Sequence, residues 1–296
     1  ALPILRTIPD GFHDQLVSRP WHARWIGSEK GGPHGSRTLF RRQFHVAGPV
    51  AGRVFISAER DYQLFVNGRF VCRGAPPSPY YYKLYDEADL SGHLVQGGNC
   101  IAVLVSQIGA DMVGLLAELI GDDGRALLIT DESWRVTSQT GWSVRDDTAG
   151  VRNTDFQEYF DARLHPTGWE QAGYNDSAWA PPQAYPSLGT RHCPWKRMVP
   201  RRIPALAEWD VRPQALAAVE EGLQFKSRQR AESLSVQLSA AGQPVTYSRV
   251  QDPDALCRAD GQTVLRCSTE HLRDRAFDGI YSPSVVLDFG KVITGY

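Results

Sequence analysis

The sequence predicts an all-β protein, a sandwich or barrel rather than a helix bundle. Three observations carry that reading. Short apolar runs recur between clusters of Gly, Asn, Asp and Pro, with 27 glycines and 19 prolines as punctuation. Two pairs of these runs are joined by tight-turn sequences. Aromatic residues are abundant, eight of them Trp, and aromatic side chains fit pleated, half-buried surfaces. At 296 residues the chain has the length of two domains with a partial third.

The strands follow in order. Residues 38–46 alternate as a half-buried strand, and residues 52–58 supply the next. Residues 62–66 and 69–72 flank Asn67-Gly68, the pair a type I′ turn favours because both central positions take positive φ. Residues 86–95 are expected to hold a short helical turn and a loop, in which Asp89, Leu90 and Leu94 cap the sandwich. Residues 99–105 read as a strand buried on both faces. Residues 114–120 and 125–130 flank Gly121-Asp122-Asp123-Gly124 as a second hairpin, and residues 131–136 close the pattern.

From 181 to 213 the composition shifts. Proline recurs at 181, 182, 186, 194, 200, 204 and 213, which predicts an extended connector along the surface. Lys196-Arg197 and Arg201-Arg202 within it read as a solvated face. Residues 213–221 are expected to begin a helix, with Pro213 in its first turn. Residues 233–238 alternate like a strand, 252–256 suit a helical turn, and 284–290 form a strand ending in a Gly turn. That last strand is expected to reach back to residues 233–250 for a partner, and the chain to stop within a domain.

Composition narrows the function. Lys plus Arg total 32 and Asp plus Glu 33, a net charge of −1, so no global positive field favours nucleic acid or anionic membrane. No apolar run approaches the roughly 20 residues of a membrane span. The N-terminus lacks the charged start and apolar core of a signal peptide. The five cysteines are scattered, and they read as reduced, buried thiols of a cytoplasmic chain. If a signal peptide was removed and the chain is exported, Cys257 and Cys267 are the pair expected to bridge.

Motifs for chemistry are sparse. There is no Gly-x-x-x-x-Gly-Lys phosphate loop and no Gly-x-Ser-x-Gly nucleophile elbow. Gly31-Gly32-Pro33-His34-Gly35 reads as a flexible loop, and the isolated His192-Cys193 pair falls short of a zinc site. The carboxylates at Asp86/Glu87/Asp89, Asp146/Asp147 and Glu220/Glu221 read as turns and caps. Glu158 and Asp161 suit a loop-orienting network with Arg163. A calcium site is conceivable at Glu59 and Asp61 with Asp111, although Arg60 dilutes the negative charge there; no other cofactor is expected. Aromatic residues in loops are the better hint. Tyr80, Tyr81 and Tyr82 combine flat apolar faces with hydroxyls and suit a sugar, against the alternative that they staple the loop to the sheet. Trp142 joins them as a sugar-binding candidate, while Trp169, Trp179 and Trp195 read mostly as core or interdomain plugs.

Four stretches together resemble the N-terminal region of bacterial α-L-rhamnosidases of the large inverting family. The first is Phe40-Arg41-Arg42-Gln43-Phe44 with Ile56-Ser57-Ala58 and Tyr62-Gln63-Leu64-Phe65-Val66-Asn67-Gly68. The second is Gly114-Leu115-Leu116-Ala117-Glu118-Leu119 with Asp131-Glu132-Ser133-Trp134. The third is Glu158-Tyr159-Phe160-Asp161-Ala162-Arg163 with Gly168-Trp169 and Gly173-Tyr174-Asn175-Asp176-Ser177-Ala178-Trp179. The fourth is Val286-Leu287-Asp288-Phe289-Gly290-Lys291-Val292-Ile293-Thr294-Gly295-Tyr296.

The resemblance implies a galactose-binding-like jelly-roll sandwich followed by a second, incomplete β-sandwich region. The organisation expected is an N-terminal extension (1–20), the jelly roll (21–180), the Pro-rich connector (181–212) and the opening of the second sandwich (213–296). In such enzymes a separate (α/α)6 barrel carries the general acid and the base that activates water. No catalytic residue is therefore carried over, and this chain alone is expected to be inactive. Its implied partners are that catalytic barrel and a rhamnose-containing glycan or glycoside, with no nucleic acid and no membrane. The alternatives are a free-standing carbohydrate-binding module, or a structural or interaction sandwich without a ligand.

Overall fold

The computed structural model describes residues 19–28, 36–48, 51–74, 78–79, 82–106, 112–144, 158–205, 208–225, 250–258, 261–266 and 279–291. The chain packs as two units, Ala1–Pro204 and Ala205–Tyr296. The first unit begins with β1 (Ile26–Gly27), β2 (Arg37–Val46), β3 (Gly52–Ala58), β4 (Tyr62–Val66), β5 (Arg69–Gly74), β6 (Tyr82–Asp89) and β7 (Gly97–Ser106). It continues with β8 (Leu115–Gly121), β9 (Ala126–Ile129), β10 (Arg135–Thr137), β11 (Trp142–Val144), β12 (Glu158–Phe160), β13 (Gln183–Ala184) and β14 (Arg197–Pro200).

Among the described residues these strands make two main sheets. One runs β13-β1-β8-β3-β6-β14 with β9 beside β8, seven strands in all; the other has five, in the order β10-β2-β7-β4-β5. The all-β expectation holds. The alternation of β4 explains the packing, since Tyr62, Leu64 and Val66 are buried and the residues between them are half-buried. They meet Phe40, Val54, Ile56, Ile101, Val103, Leu115, Ala117 and Trp134 in a core supplied by both sheets.

Strand β7 is buried on both faces. Ile101, Val103 and Val105 enter that core, while Cys100, Ala102 and Leu104 pack with Leu39 and Trp169 on the other side. Burial pushes the Cys100 thiol up to about 11. The turn at Asn67-Gly68 forms as expected, with φ of 52° and 78°, and β4 pairs antiparallel with β5 across it. The second hairpin pairs β8 with β9.

Two details of the first unit differ from the sequence reading. The short helical turn expected within 86–95 forms in its second half only: β6 runs through Asp89, and the chain then turns, with His93 and Leu94 N–H groups donating to Leu90 O at 2.9 and 3.2 Å. The proline-rich stretch expected as a surface connector also joins the sandwich as far as residue 200. Strand β13 pairs with β1, and β14 pairs parallel with β6. Prolines are tolerated here because both strands lie at sheet edges. Apolar residues between the prolines fix the strap: Trp195 and Met198 are fully buried, and Trp195 stacks on Trp25 at 4.2 Å. Gly114 makes room for that stack, since a Cβ there would lie 2.5 Å from the Trp195 ring.

The second unit holds β15 (Ala215–Phe225), β16 (Val250–Gln251), β17 (Val264–Leu265) and β18 (Gly279–Asp288). The helix expected over 213–221 is instead strand β15, which pairs antiparallel with β18 along its length. Pairing with a β-branched partner strand overrides the helical preference of its Ala, Leu and Glu residues. Among the described residues the partner of β18 is therefore residues 215–225; of the stretch expected to pair with it, residues 233–249 lie outside the described residues. The short turn at Pro253–Leu256 forms as a 3-10 helix. Cys257 is half-buried, and Cys267 lies outside the described residues.

Candidate functional site

One end of the sandwich gathers most of the residues singled out from the sequence. Strand register does this. Ala58 at the end of β3 faces Leu115 at the start of β8. Tyr62 at the start of β4 faces both Gly74, the last residue of β5, and Val105 near the end of β7. Arg37 at the start of β2 faces Ser106. The loops after β3, β5 and β7, and the chain after β10, therefore leave the sheets at the same end.

Glu59 and Asp61 lie between β3 and β4 and each meets a cation from another strand. Arg37 Nη1 lies 3.1 Å from the Asp61 carboxylate, which the Ser106 hydroxyl also donates to. The Asp61 side chain is 53% exposed, so water and solutes reach it. Glu59 Oε2 lies 3.0 Å from the Lys83 ammonium and accepts from Trp195 Nε1. The expected calcium ligands Glu59 and Asp61 are thus already engaged by Lys83 and Arg37; Asp111 lies outside the described residues. Among the described residues no group of three or more His, Cys, Asp or Glu is placed to hold a metal.

The aromatic candidates divide. Tyr80 and Tyr81 lie outside the described residues, while Tyr82 opens β6, half-buried, opposite Arg197 of β14. Trp142 is half-buried in the β11–β12 pair. The Arg37 guanidinium sits 5.3 Å from its ring centroid, and Phe160 lies against the same ring at 4.5 Å. Phe160 is 43% exposed. Arg37 therefore links the Trp142 ring to the Asp61 carboxylate. Trp169 and Trp195 are buried as plugs, and Trp179 is half-buried beside Trp169. The expected pair of Asp161 with Arg163 forms, and the guanidinium's hydrogen bonds hold Asp161 down at about 2.

Sequence reasoning missed Arg37, Lys83, Ser106 and Trp195 as partners of this end. Lys83 alone left a trace: it interrupts an aromatic and apolar run, and a lysine is fully buried almost only when it is paired.

Partly exposed ring faces beside an Asp–Arg pair can hold a hydroxyl-rich molecule, with apolar C–H faces on the rings and hydroxyls on the charged groups. A groove of about 640 Å³ at the other end, lined by Ala51, Ser91, Leu94, Asp122, Asp123 and Leu127 among others, offers carboxylates and aliphatic walls but no ring.

Residues 48–205 match the family described as the alpha-L-rhamnosidase N-terminal domain. No curated protein matches the chain. The GH78 family rhamnosidase of Bacillus sp. GL1 is similar in structure, with a TM-score of 0.61 and 32% identity over 70% of this chain and 22% of that one. The alpha-L-rhamnosidase of Aspergillus terreus gives a TM-score of 0.49 and 23% identity over 74% of this chain and 25% of that one. The chain thus spans no more than a quarter of the length of these two enzymes. The family match takes in strands β3 to β14, drawn from both sheets, and covers over half of the sequence: this chain belongs to the alpha-L-rhamnosidase N-terminal domain family.

Proposed function

We propose that this chain is the non-catalytic N-terminal part of an α-L-rhamnosidase, the complete protein removing terminal α-L-rhamnose from glycosides. Its sandwich supports the catalytic barrel, and the loop end carrying Trp142, Arg37 and Asp61 holds a rhamnose-containing glycan. The family match over residues 48–205 is the observation that carries the reading. The mixture of exposed ring and charged pair at one sandwich end supports the sugar contact.

Titration calorimetry of the chain with L-rhamnose and a rhamnosyl disaccharide tests it. Heat of binding that disappears in Trp142→Ala, together with no hydrolysis of a chromogenic rhamnoside, is the expected result. Hydrolysis by this chain overturns the non-catalytic role. Absence of heat with every rhamnoside overturns the sugar contact and favours a purely structural sandwich, a reading supported by the internal pairing of Glu59 with Lys83.

A further inference from the structure

The Lys83 side chain is 3% exposed, and its ammonium is surrounded by oxygen. Nζ donates to the Glu59 carbonyl at 2.7 Å and to the Ser78 carbonyl at 3.4 Å, and it lies 3.0 Å from Glu59 Oε2. An ammonium has three donors and no acceptor, and here three oxygens receive them. The oxygens come from different places: Glu59 belongs to the loop between β3 and β4, and Ser78 to the loop between β5 and β6. Trp195 Nε1 donates to the same Glu59 oxygen, Oε2, that Lys83 approaches.

Two carbonyls and a carboxylate around a buried centre are the ligand types that a hard cation takes. We propose that the Lys83 ammonium is the resident cation of this loop end, clipping Glu59 of the β3–β4 loop to Ser78 so that holding the two together requires no divalent metal. A calcium ion on Glu59 would meet like-charge repulsion from the ammonium, and the ammonium already uses the carbonyls such an ion would need. Asp61 is treated likewise by Arg37. The inference concerns how the loops are held and stands whether or not a sugar binds beside them.

Thermal unfolding and amide hydrogen exchange test it on the same chain. The wild-type melting temperature is expected to be the same in chelator and in excess calcium chloride. Lys83→Met is expected to speed exchange at the Glu59, Tyr82 and Ser106 amides, which bond to Gly114, Pro79 and Asp61 carbonyls. The increase should be about tenfold to a hundredfold, the size of a lost charged hydrogen bond. Lys83→Arg, which keeps the charge, should restore part of that protection. A wild-type melting temperature that rises with calcium or falls with chelator overturns the proposal. So does unchanged exchange at these amides in Lys83→Met. Should Lys83→Met fail to fold, the wild-type metal series decides alone.

Discussion

Arg41 is the residue on which the covering loop of the five-stranded sheet depends, and its replacement by methionine gives a quantitative test. The side chain is fully buried on β2. Its guanidinium donates to the Trp169 and Gln171 carbonyls at 2.8 Å each and to Tyr174 O at 3.3 Å, and it pairs with Asp176. One fork thus gathers four acceptors from residues 169–176. Hydrogen bonds to a charged group contribute about 1.5–3 kcal/mol each, so simple addition gives roughly 6–12 kcal/mol. That sum is too large. The Asp176 side chain is 19% exposed and can turn to water, and methionine keeps much of the apolar contact of the arginine stem. Removing one partner of a buried pair costs about 3–5 kcal/mol, the range expected for Arg41→Met. At roughly 2–4 °C per kcal/mol for a unit of this size, melting falls by about 6–20 °C. Urea unfolding of wild type, Arg41→Met and Arg41→Lys gives the ranking. Lysine keeps the charge but loses the fork and should fall between the other two. A loss below about 1 kcal/mol in Arg41→Met refutes the reasoning, because the loop would then be held by the Trp169 ring without the guanidinium.

Two further predictions concern buried and paired carboxylates. Burial raises the Asp86 pKa, opposed by hydrogen bonds from Tyr62 and Arg201; the native protein therefore takes up this proton before the unfolded chain does, and the charge costs stability above the native pKa, a cost relieved as pH falls through it. Arg201→Ala strands that carboxylate and should cost about 3–5 kcal/mol at neutral pH, part of which the double variant Asp86→Asn/Arg201→Ala recovers; strict additivity in denaturant unfolding would rule out the pairing. Asp161 is the opposite case, held down at about 2 by Arg163, so its contribution is complete above the unfolded value of about 3.9 and is lost as pH falls toward 2. In an NMR titration, Arg163→Ala should raise the Asp161 carboxyl part of the way toward about 3.9, because the residue 163 backbone N–H still donates to it, and an unmoved titration refutes the assignment.

The strands of the sandwich were legible because period-2 alternation and turn chemistry are local. Tyr62, Leu64 and Val66 point into the core because they alternate, and Asn67-Gly68 turns because both residues take positive φ. Strand β15 was not legible. Its Ala-Leu-Ala-Ala-Val-Glu-Glu run favours helix locally, and pairing with β18, more than 50 residues away, makes it extended. The site was legible by half. Glu59, Asp61, Tyr82 and Trp142 announce themselves as loop acids and loop aromatics. The cations that complete the acids are both 24 residues from them, and sheet register alone brings them close.

Register also explains why the proline-rich strap belongs to the loop end. Side chains alternate along β6, so Lys83 and Tyr85 share one face while Leu84 and Asp86 share the other. Asp86 meets Tyr62 of the other sheet at 2.7 Å, which sets its face toward the core. Lys83 and Tyr85 must then face outward, where a lysine would ordinarily reach water. It does not, because this face is covered: Tyr85 packs in the cluster of Trp25, Trp195 and Met198, and the Trp195 indole meets the same Glu59 carboxylate as Lys83. A one-residue slip of β14 against β6 would displace Met198 from its place beside Lys83 and alter the cover over the ammonium. The parallel pairing of β14 with β6, unexpected in a segment so rich in proline, is thus what makes the outward lysine a buried cation, and the order of the β3–β4 loop follows from a strand that lies more than 130 residues further along the chain.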